Sequence, residues 1–307
     1  MPGPEFRLAL LLATTAVTLP AAPATLGEGA GGAATTIEVQ RLRPGLQLLR
    51  GAGCNVVAWT GPDGTVLVDS GMAEFAPQLM ESVARIAPSG VRFVVNTHWH
   101  PDHTGGNARL RQSGALAVSQ DNVRLRMAEP QDLVEYALKV PAAAAEALPV
   151  VTFEDGLVLN LNGDRLELLH APAAHTDGDG IAWWVEANVV HLGDVFYAQG
   201  YPFLDTASGG SLAGLVAAVE TVLSRADSGT LIVPGHGPVS TRAELAAYRD
   251  MLVAVGRRVR ELVEQGRNPD EVLAAAPTAA FDARYGAGGV SAERFVRLLY
   301  EDLSGRR

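Results

Sequence analysis

The chain is organised around residues 96–107, which read Asn-Thr-His-Trp-His-Pro-Asp-His-Thr-Gly-Gly-Asn. Three of the chain's seven histidines lie there, within six consecutive positions. The apolar run Val91–Val95 leads directly into this stretch. An apolar run followed by polar and turn-forming residues is typical of a buried strand that ends in a loop. The pattern therefore predicts a strand that delivers several histidines to one loop.

The metal-capable side chains of this loop point in two directions. In extended backbone, His98 and His100 point to the same side because side chains alternate with a period of two. Asp102 and His103 follow Pro101, which stiffens the turn, so they can approach from a second direction. Packing four such groups together without a partner would carry a desolvation cost. We therefore interpret them as ligands for two neighbouring metal ions rather than as structural residues.

The motif from His98 to His103 resembles the signature of the metallo-β-lactamase-fold superfamily. Further segments follow in the family's order, namely Val66–Asp69, Ala174–Thr176, Gly193–Asp194 and Pro234–Gly237. The likeness covers roughly residues 37–250, the length of one large domain. It implies an α/β fold, a four-layer αβ/βα sandwich with extra C-terminal helices. The metals would lie at one edge, between the two sheets.

The resemblance also implies a ligand set and its roles. The ligands are His98, His100 and His175 for the first metal, Asp102, His103 and His236 for the second, and Asp194 for both. A hydroxide would also bridge the metals, and Asp102 would orient it as the catalytic residue. Asp69, at the end of a Val-rich strand, would support the ligands from behind. Nitrogen and carboxylate ligands suit zinc, and iron and manganese also fit such a set. We expect two Zn²⁺ ions per chain.

The residues around the bridging position favour particular branches of the superfamily, and His100, which is not a glutamate, argues against the flavodiiron branch. Asp194 stands where many β-lactamases carry a cysteine or a serine. No lysine follows to hold a β-lactam carboxylate, because the next residues are Val195, Phe196 and Tyr197. Gly193-Asp194 resembles the thioesterase and lactonase branches. The sequence therefore predicts a zinc-dependent hydrolase of an ester, lactone, thioester or cyclic amide. The alternatives are a β-lactamase, a mononuclear iron dioxygenase-like enzyme and a non-hydrolytic metal-binding protein.

Composition limits the partners that the chain can have. The formal net charge is −10 over 307 residues, without a block of lysine or arginine. That charge argues against nucleic acid and anionic membranes, so we expect a small-molecule substrate. The oligomeric state stays open. Five aromatic residues are candidates for an apolar substrate pocket, with ordinary core packing as the alternative: Trp99, Phe196, Tyr197, Tyr201 and Phe203.

The N-terminus reads as a targeting segment. Arg7 precedes the apolar run Leu8–Leu19, and Ala22-Pro23-Ala24 offers a cleavage site. This run is too short to span a bilayer, so it favours a secretory signal peptide. The predicted organisation is signal peptide 1–24, flexible lead-in 25–36, catalytic domain 37–250 and a C-terminal helical extension 251–307 packed on that domain. The mature protein would be periplasmic or secreted, without stable membrane insertion.

Strand and helix patterns fill the rest of the domain. Predicted strands are 36–42, 45–49, 55–60, 65–69, 91–95, 115–119, 157–161, 165–170, 181–185, 189–192 and 230–233. Predicted helices are 74–87, 105–112, 212–224, 242–265, 269–276 and 291–303, and residues 120–148 look helical between prolines. His170 and His191 match no ligand position, and the single cysteine, Cys54, is predicted to be a small buried side chain.

Overall fold

The computed structural model describes residues 36–87 and 89–305, apart from the side chain of Glu135. The predicted signal peptide and all but the last residue of the predicted lead-in lie outside the described residues. The strands, in chain order, are β1 (Glu38–Arg43), β2 (Leu46–Arg50), β3 (Val56–Trp59), β4 (Thr65–Val68), β5 (Val91–Val95), β6 (Leu116–Gln120), β7 (Gln131–Leu133), β8 (Leu138–Val140), β9 (Val151–Phe153), β10 (Gly156–Leu161), β11 (Asp164–Ala171), β12 (Asp179–Trp184), β13 (Val189–His191) and β14 (Leu231–Val233).

The helices lie mainly between and after these strands. They are α1 (Ala76–Ile86), α2 (Pro101–Thr104), α3 (Asn107–Gln112), α4 (Asp121–Met127), α5 (Leu212–Arg225), α6 (Arg242–Glu264), α7 (Pro269–Ala274), α8 (Asp282–Tyr285) and α9 (Ala292–Ser304). A capping box between Thr241 and Glu244 begins α6, which runs through residue 250. The division of the chain at that residue stays a prediction. None of the helices in the described part of the chain is long and apolar enough to cross a membrane.

Two sheets form the centre of the fold. The first has the order β1-β2-β3-β4-β5-β6-β9, antiparallel as far as β4 and parallel from there on. The second has the order β10-β11-β12-β13-β14, and only its last pair is parallel. The sequence 61–64 makes the tight turn between the antiparallel strands β3 and β4.

Alternating side chains bury both faces of each sheet. On β4, Val66 and Val68 face the core between the sheets, whereas Leu67 faces the helices α1 and α3. Trp59 and Trp184 meet edge to face across the inner core, with ring centroids 6.5 Å apart. On the other side, α5, α6 and α9 cover the outer face of the second sheet. The four-layer αβ/βα sandwich is therefore confirmed, because strands buried on both faces need a helical layer on each side.

Residues 120–148 correct the sequence prediction. Only α4 is α-helical there, besides two 3₁₀ turns at Val134–Tyr136 and Ala145–Ala147. The helix α4 ends before Pro130 because a residue preceding proline disfavours helical backbone. The chain then forms the hairpin of β7 and β8, with Ala137 in the left-handed region (φ 49°). The short strand β9, which the sequence analysis missed, follows at the edge of the first sheet. A helix over the second half of this stretch is wrong.

Candidate metal centre

Loops at one edge of the two sheets carry the predicted site residues. The strands β4, β5 and β6 are parallel, and so are β13 and β14, so the loops that follow their carboxyl ends lie together. The elements that carry the site are the loop after β4 (Asp69), the loop after β5 (His98 and His100), α2 (Asp102 and His103), the β11–β12 loop (His175), a 3₁₀ turn after β13 (Asp194) and the loop after β14 (His236).

The first cluster consists of His98, His100 and His175. Nε2 of His98 lies 3.1 Å from Nδ1 of His100, and Nε2 of His175 lies 3.0 Å from that same nitrogen. All three rings are buried, with at most 5% of the residue exposed. Three imidazole nitrogens thus converge on one point in the interior.

Hydrogen bonds on the outer side of these rings fix which nitrogen faces inward. Nδ1 of His175 donates to the main-chain oxygen of Phe203 at 2.8 Å, since a carbonyl can only accept. Nε2 of His100 faces Oδ2 of Asp205 at 3.0 Å and donates to that carboxylate. The inward nitrogens therefore present lone pairs to one another, which is repulsive unless a cation lies between them. Outer partners of this kind are typical of metal-binding histidines.

The second cluster consists of Asp102, His103 and His236. Oδ2 of Asp102 lies 3.1 Å from Nε2 of His236 and 3.4 Å from Nε2 of His103. The two ring nitrogens are themselves 3.4 Å apart. The His236 side chain is 34% exposed and that of Asp102 16% exposed, so this cluster is more open than the first.

Asp194 lies between the two clusters. Its Oδ1 is 3.2 Å from Nε2 of His103 and 3.4 Å from Nε2 of His236, whereas its Oδ2 is 3.9 Å from Nε2 of His175. Oδ1 is buried and has no hydrogen-bond partner among the described residues. A buried carboxylate oxygen without a partner is costly, and a cation would satisfy it. Both clusters therefore have the donor chemistry of sites that could bind metal ions.

Asp69 lies behind the second cluster, as the resemblance implied. Its Oδ2 accepts a hydrogen bond from Nδ1 of His103 at 2.8 Å, and its Oδ1 accepts one from the main-chain nitrogen of Thr97 at 2.8 Å. The Asp69 backbone adopts φ 65°, a left-handed conformation that aspartate tolerates better than most residues. These contacts orient the His103 ring with its Nε2 toward Asp102 and Asp194.

The histidine pKa values shift in opposite directions in the two clusters. Burial, reinforced by the neighbouring histidines, holds the pKa of His98 well below its usual value and lowers the pKa of His175 to about 4. Burial also acts on His236, but Asp194 and Asp102 outweigh it and raise its pKa to about 10. Burial favours the protonated form of Asp194, yet His236 and His103 outweigh it and hold the pKa of that carboxyl well below its usual value.

An apolar cavity of about 240 Å³ opens onto the second cluster and Asp194. Its lining residues are His100, Pro101, Asp102, Leu133, Tyr136, Asp194, Tyr197, Gln199, Phe203, His236, Gly289 and Val290. Two of the five predicted pocket aromatics, Tyr197 and Phe203, are among them. The Tyr197 hydroxyl donates a hydrogen bond to Oδ2 of Asp194 at 2.6 Å. A substrate in this cavity can reach Asp102, Asp194 and His236.

The other three predicted pocket aromatics do not line this cavity. Trp99 is buried and its Nε1 donates to Oγ of Ser208 at 3.1 Å. Phe196 packs edge to face on Tyr248, and Tyr201 is fully buried in the same core. These three residues therefore match the alternative of ordinary core packing that the sequence left open. Proximity in sequence to a ligand does not decide whether a side chain faces the cavity or the core behind it.

Sequence reasoning missed several residues of the site. Asp205, the partner of His100, is a single acid directly after the apolar residues 201–204, and that isolated charge was the only signal for it. Tyr136 lies in the segment expected to be helical. Gly289 and Val290 lie in the predicted C-terminal extension, far from every motif. No local pattern in the sequence indicates that these last three meet at one cavity.

The remaining histidines and the cysteine lie outside both clusters. Nε2 of His170 donates to the main-chain oxygen of Asp177 at 2.9 Å, and Nε2 of His191 donates to that of Asn55 at 3.1 Å. Cys54 is buried behind the second cluster, and burial raises the pKa of its thiol to about 12. The thiol is therefore protonated and unsuited to act as a nucleophile.

Comparison with known proteins agrees with this geometry. Metallo-beta-lactamase type 2 from Bacillus cereus is 24% identical over 190 residues, which cover 62% of this chain and 69% of that protein. Beta-lactamase-like protein 2 homolog from Caenorhabditis elegans is 23% identical over 210 residues, 67% of this chain and 63% of that protein. The chain thus spans less than two thirds of the length of the second relative.

Solved structures share the fold. The stereoselective inverting sec-alkylsulfatase Pisa1 from Pseudomonas sp. matches with a TM-score of 0.66 at 15% sequence identity, covering 88% of this chain and 51% of that chain. The family model described as the metallo-beta-lactamase superfamily matches residues 49–245, well over half of the sequence. The resemblance of the His98–His103 motif is therefore confirmed, and this chain belongs to the metallo-beta-lactamase superfamily.

Proposed function

We propose that this chain is an exported zinc-dependent hydrolase that cleaves an ester, a lactone, a thioester or a cyclic amide. One observation carries the proposal. Asp194 joins two clusters of metal-capable side chains, and its unpartnered Oδ1 lies beside an apolar cavity. This arrangement supports two zinc ions that share the Asp194 carboxylate, with His98, His100 and His175 on one side and Asp102, His103 and His236 on the other.

The residues have distinct roles in the proposed reaction. Zinc ions held there would lower the pKa of a shared water toward neutrality and polarise the bond under attack. Asp102 lines the cavity, and we assign its carboxylate to orient that water and to accept its proton. Tyr197 holds Oδ2 of Asp194 and also lines the cavity, so its hydroxyl lies beside a bound substrate.

The cavity favours an ester or lactone over a β-lactam. None of the described residues that line this apolar cavity is a lysine or an arginine, so a β-lactam carboxylate bound beside Asp194, inside the cavity, would meet no cation there. The residues after Asp194 are Val195 and Phe196, both buried. A β-lactamase is the second candidate, because the relative from Bacillus cereus bears that name. A mononuclear iron enzyme would bind a single metal ion, so metal content distinguishes it from the proposed hydrolase. A non-hydrolytic metal-binding protein would turn over no substrate, so activity distinguishes it.

A substrate panel with metal analysis tests the proposal. The purified full chain is loaded with zinc, and its metal content is measured by elemental analysis. The panel contains a penicillin, a carbapenem, an aryl ester, an acyl lactone, a thioester and, because an alkylsulfatase shares the fold, a secondary alkyl sulfate. We expect close to two zinc ions per chain and fastest turnover of an ester, lactone or thioester. Efficient carbapenem hydrolysis would overturn the preference for an ester, lactone or thioester in favour of the β-lactamase candidate. Saturation at one metal would contradict the two-zinc site.

Export and partners complete the proposal. The pattern of Arg7, the apolar run and Ala22-Pro23-Ala24 supports a mature chain that begins near Thr25, in the periplasm or outside the cell. The acidic net charge supports a small-molecule substrate and argues against nucleic acid. Mass spectrometry of the protein from its native cell tests the first point, and an intact leader would contradict it.

A further inference from the structure

A second, polar cavity lies on the other side of the second cluster. Its volume is about 480 Å³, and its lining residues are Arg50, Gly51, Gly53, Cys54, Asn55, Gln199, His236, Gly237 and Pro238. His236 and Gln199 also line the apolar cavity. The two cavities therefore share His236 of the second cluster, and the second cavity is the more polar of the two. We call the second one the Arg50 cleft.

Arg50 is a cation for which the described part of the chain provides no partner. Among residues 36–87 and 89–305, no hydrogen bond or ion pair involves its guanidinium, and the residue is half-buried. Glu38 lies directly opposite it in the β1–β2 register, yet the two side chains form no ion pair within the described structure. The lining of the cleft includes no aspartate or glutamate. The guanidinium is thus available for an anion that enters from solvent.

The two loops that form the cleft are held together by Asn55. Its side-chain nitrogen donates to the main-chain oxygens of Pro234 and Gly237, both at 2.9 Å. Its main-chain nitrogen donates to the oxygen of Gly235 at 2.8 Å. These bonds fix the Arg50 loop against the His236 loop. The backbone of Arg50, the last residue of β2, is therefore held at a fixed position relative to the His236 loop.

We propose that the Arg50 cleft binds an oxyanion carried by the substrate, while the apolar part of the same substrate occupies the other cavity. This inference rests on the proposed hydrolase function and names its substrate class: an amphiphilic, anionic ester or related compound. The bond to be cleaved would lie over the second cluster, beside His236, which both cavities share. A guanidinium binds a carboxylate through two parallel hydrogen bonds, so Arg50 acts as a specificity-determining residue.

Matched esters test the placement of the anion. On the zinc-loaded full chain, kcat/KM is measured for 4-carboxyphenyl butyrate against its neutral analogue 4-carbamoylphenyl butyrate. The same comparison is made for the half-ester monophenyl glutarate against phenyl butyrate, which moves the carboxylate to the acyl side. In Arg50→Gln, the ratio of kcat/KM for the anionic ester to kcat/KM for the neutral ester should fall about tenfold for one of these pairs. The reason is that a charged hydrogen bond at a half-exposed site is lost.

Two further variants give the controls. Arg111→Gln removes an exposed arginine of α3 that lines neither cavity, so both ratios should stay at the wild-type value. Arg50→Lys keeps the charge and should recover part of the ratio. The pair that responds shows whether the anion belongs to the leaving group or to the acyl group. If Arg50→Gln and Arg111→Gln have the same ratios for both pairs, the cleft does not bind the substrate's anion.

A binding measurement separates this inference from the hydrolase function. Calorimetry compares 4-phenylbutyrate with neutral 4-phenylbutyramide on the zinc-loaded chain. Arg50→Gln should weaken binding of the carboxylate about tenfold relative to the amide. If no ester is hydrolysed but this difference is found, the hydrolase proposal fails and the anion site stands. If esters are hydrolysed and no such difference is found, the anion site fails alone.

Discussion

The two clusters of the metal centre differ in how firmly their side chains are held. Every ring of the first cluster is buried and has an outer partner on its other nitrogen. In the second cluster, Asp69 holds His103 in the same way, but His236 is one-third exposed and lies at the wall between two cavities. The fold therefore builds one half of the site in the interior and leaves the other half open to substrate.

This difference indicates that the first cluster mainly determines metal affinity and the second mainly contacts substrate. A set of preorganised, unprotonated nitrogens needs little rearrangement to take up a cation, so the first cluster should bind metal more tightly. The second cluster contains the residues that a substrate can contact, Asp102 and His236 among them. Changes in the second cluster should mainly alter turnover, and changes behind the first cluster should mainly alter metal affinity.

The largest expected effect comes from Asp102→Asn. The substitution keeps the shape and one oxygen donor but removes the negative charge and the proton acceptor. Turnover of a reactive ester should fall by about 10²–10⁴-fold, as is common when a positioned acid–base group is lost. Metal occupancy of the first cluster, measured by elemental analysis, should survive.

His170→Gln is the matched control for that variant. The ring contacts the main-chain oxygen of Asp177 and belongs to neither cluster, so both metals and most activity should be kept. Turnover near the wild-type value in Asp102→Asn, with metals intact, would show that its carboxylate does not orient the water. Loss of a metal in His170→Gln would show that the ligand assignment in the second half of the chain is wrong.

The second prediction concerns the layer behind the first cluster. Asp205→Asn weakens the acceptor that fixes the His100 ring, so zinc affinity of the first cluster should fall about 10–100-fold. Zinc titration against a competing chelator measures this. Asp250→Asn, at an exposed position on α6, serves as the control and should leave the titration unchanged. If both clusters lose affinity equally in Asp205→Asn, they are not independent and the comparison between them fails.

The third prediction compares the number of protons that each cluster releases when it binds zinc. At pH 8 the pKa of His175, lowered to about 4, leaves that ring neutral, so zinc binding to the first cluster should release almost no proton from it. The pKa of His236, raised to about 10, means that this ring carries a proton at pH 8 in metal-stripped protein. The second zinc must displace it, so its affinity should rise with pH up to about 10.

Calorimetric titrations in buffers of different ionisation enthalpy measure this proton release. The first binding step should show little dependence on the buffer, and the second step should show release of at least about one proton. Equal release in both steps would contradict the charge separation between the clusters. In stripped His236→Ala the release of the second step should decrease while the first step stays unchanged. Some release should remain, because burial disfavours the charged form of His103 but Asp102 and Asp194 outweigh it and hold the pKa of that ring well above its usual value.

Residues next to strands were predictable from the sequence, and residues that meet only through the tertiary fold were not. The strand Val91–Val95 and the histidines after it follow a local apolar-to-polar pattern that the structure reproduces. The prediction for residues 120–148 failed because the segments between the prolines were taken as helical, whereas Pro130 ends α4 and a hairpin follows. Tyr136 and Val290 line one cavity although they lie far apart in the chain, so no local pattern could pair them.

The smallest predicted effect concerns Arg294, on α9. Its guanidinium carbon lies 4.1 Å from the ring centroid of Tyr136 and 5.6 Å from that of Phe203, and both rings line the apolar cavity. Its Nη2 is buried without a hydrogen-bond partner among the described residues, and the two rings are the contacts that the guanidinium makes at this wall. A cation over an aromatic ring contributes about 0.5–2 kcal/mol. Arg294 therefore fixes the cavity wall.

Arg294→Met keeps the apolar stem and removes the charge, so the Tyr136 ring should become less ordered. KM for an apolar ester should then rise about 2- to 5-fold, which is the lower part of the range that the lost interaction allows. Phe203 also holds His175 through its main-chain oxygen, which does not depend on the position of its ring. Zinc affinity of the first cluster should therefore stay at the wild-type value in the chelator titration, with kcat nearly unchanged. Arg297→Met, on the exposed face of the same helix, is the control and should alter none of these quantities. If Arg294→Met instead weakens zinc binding, the layer behind the first cluster is not rigid, and the two halves of the site differ less than their burial indicates.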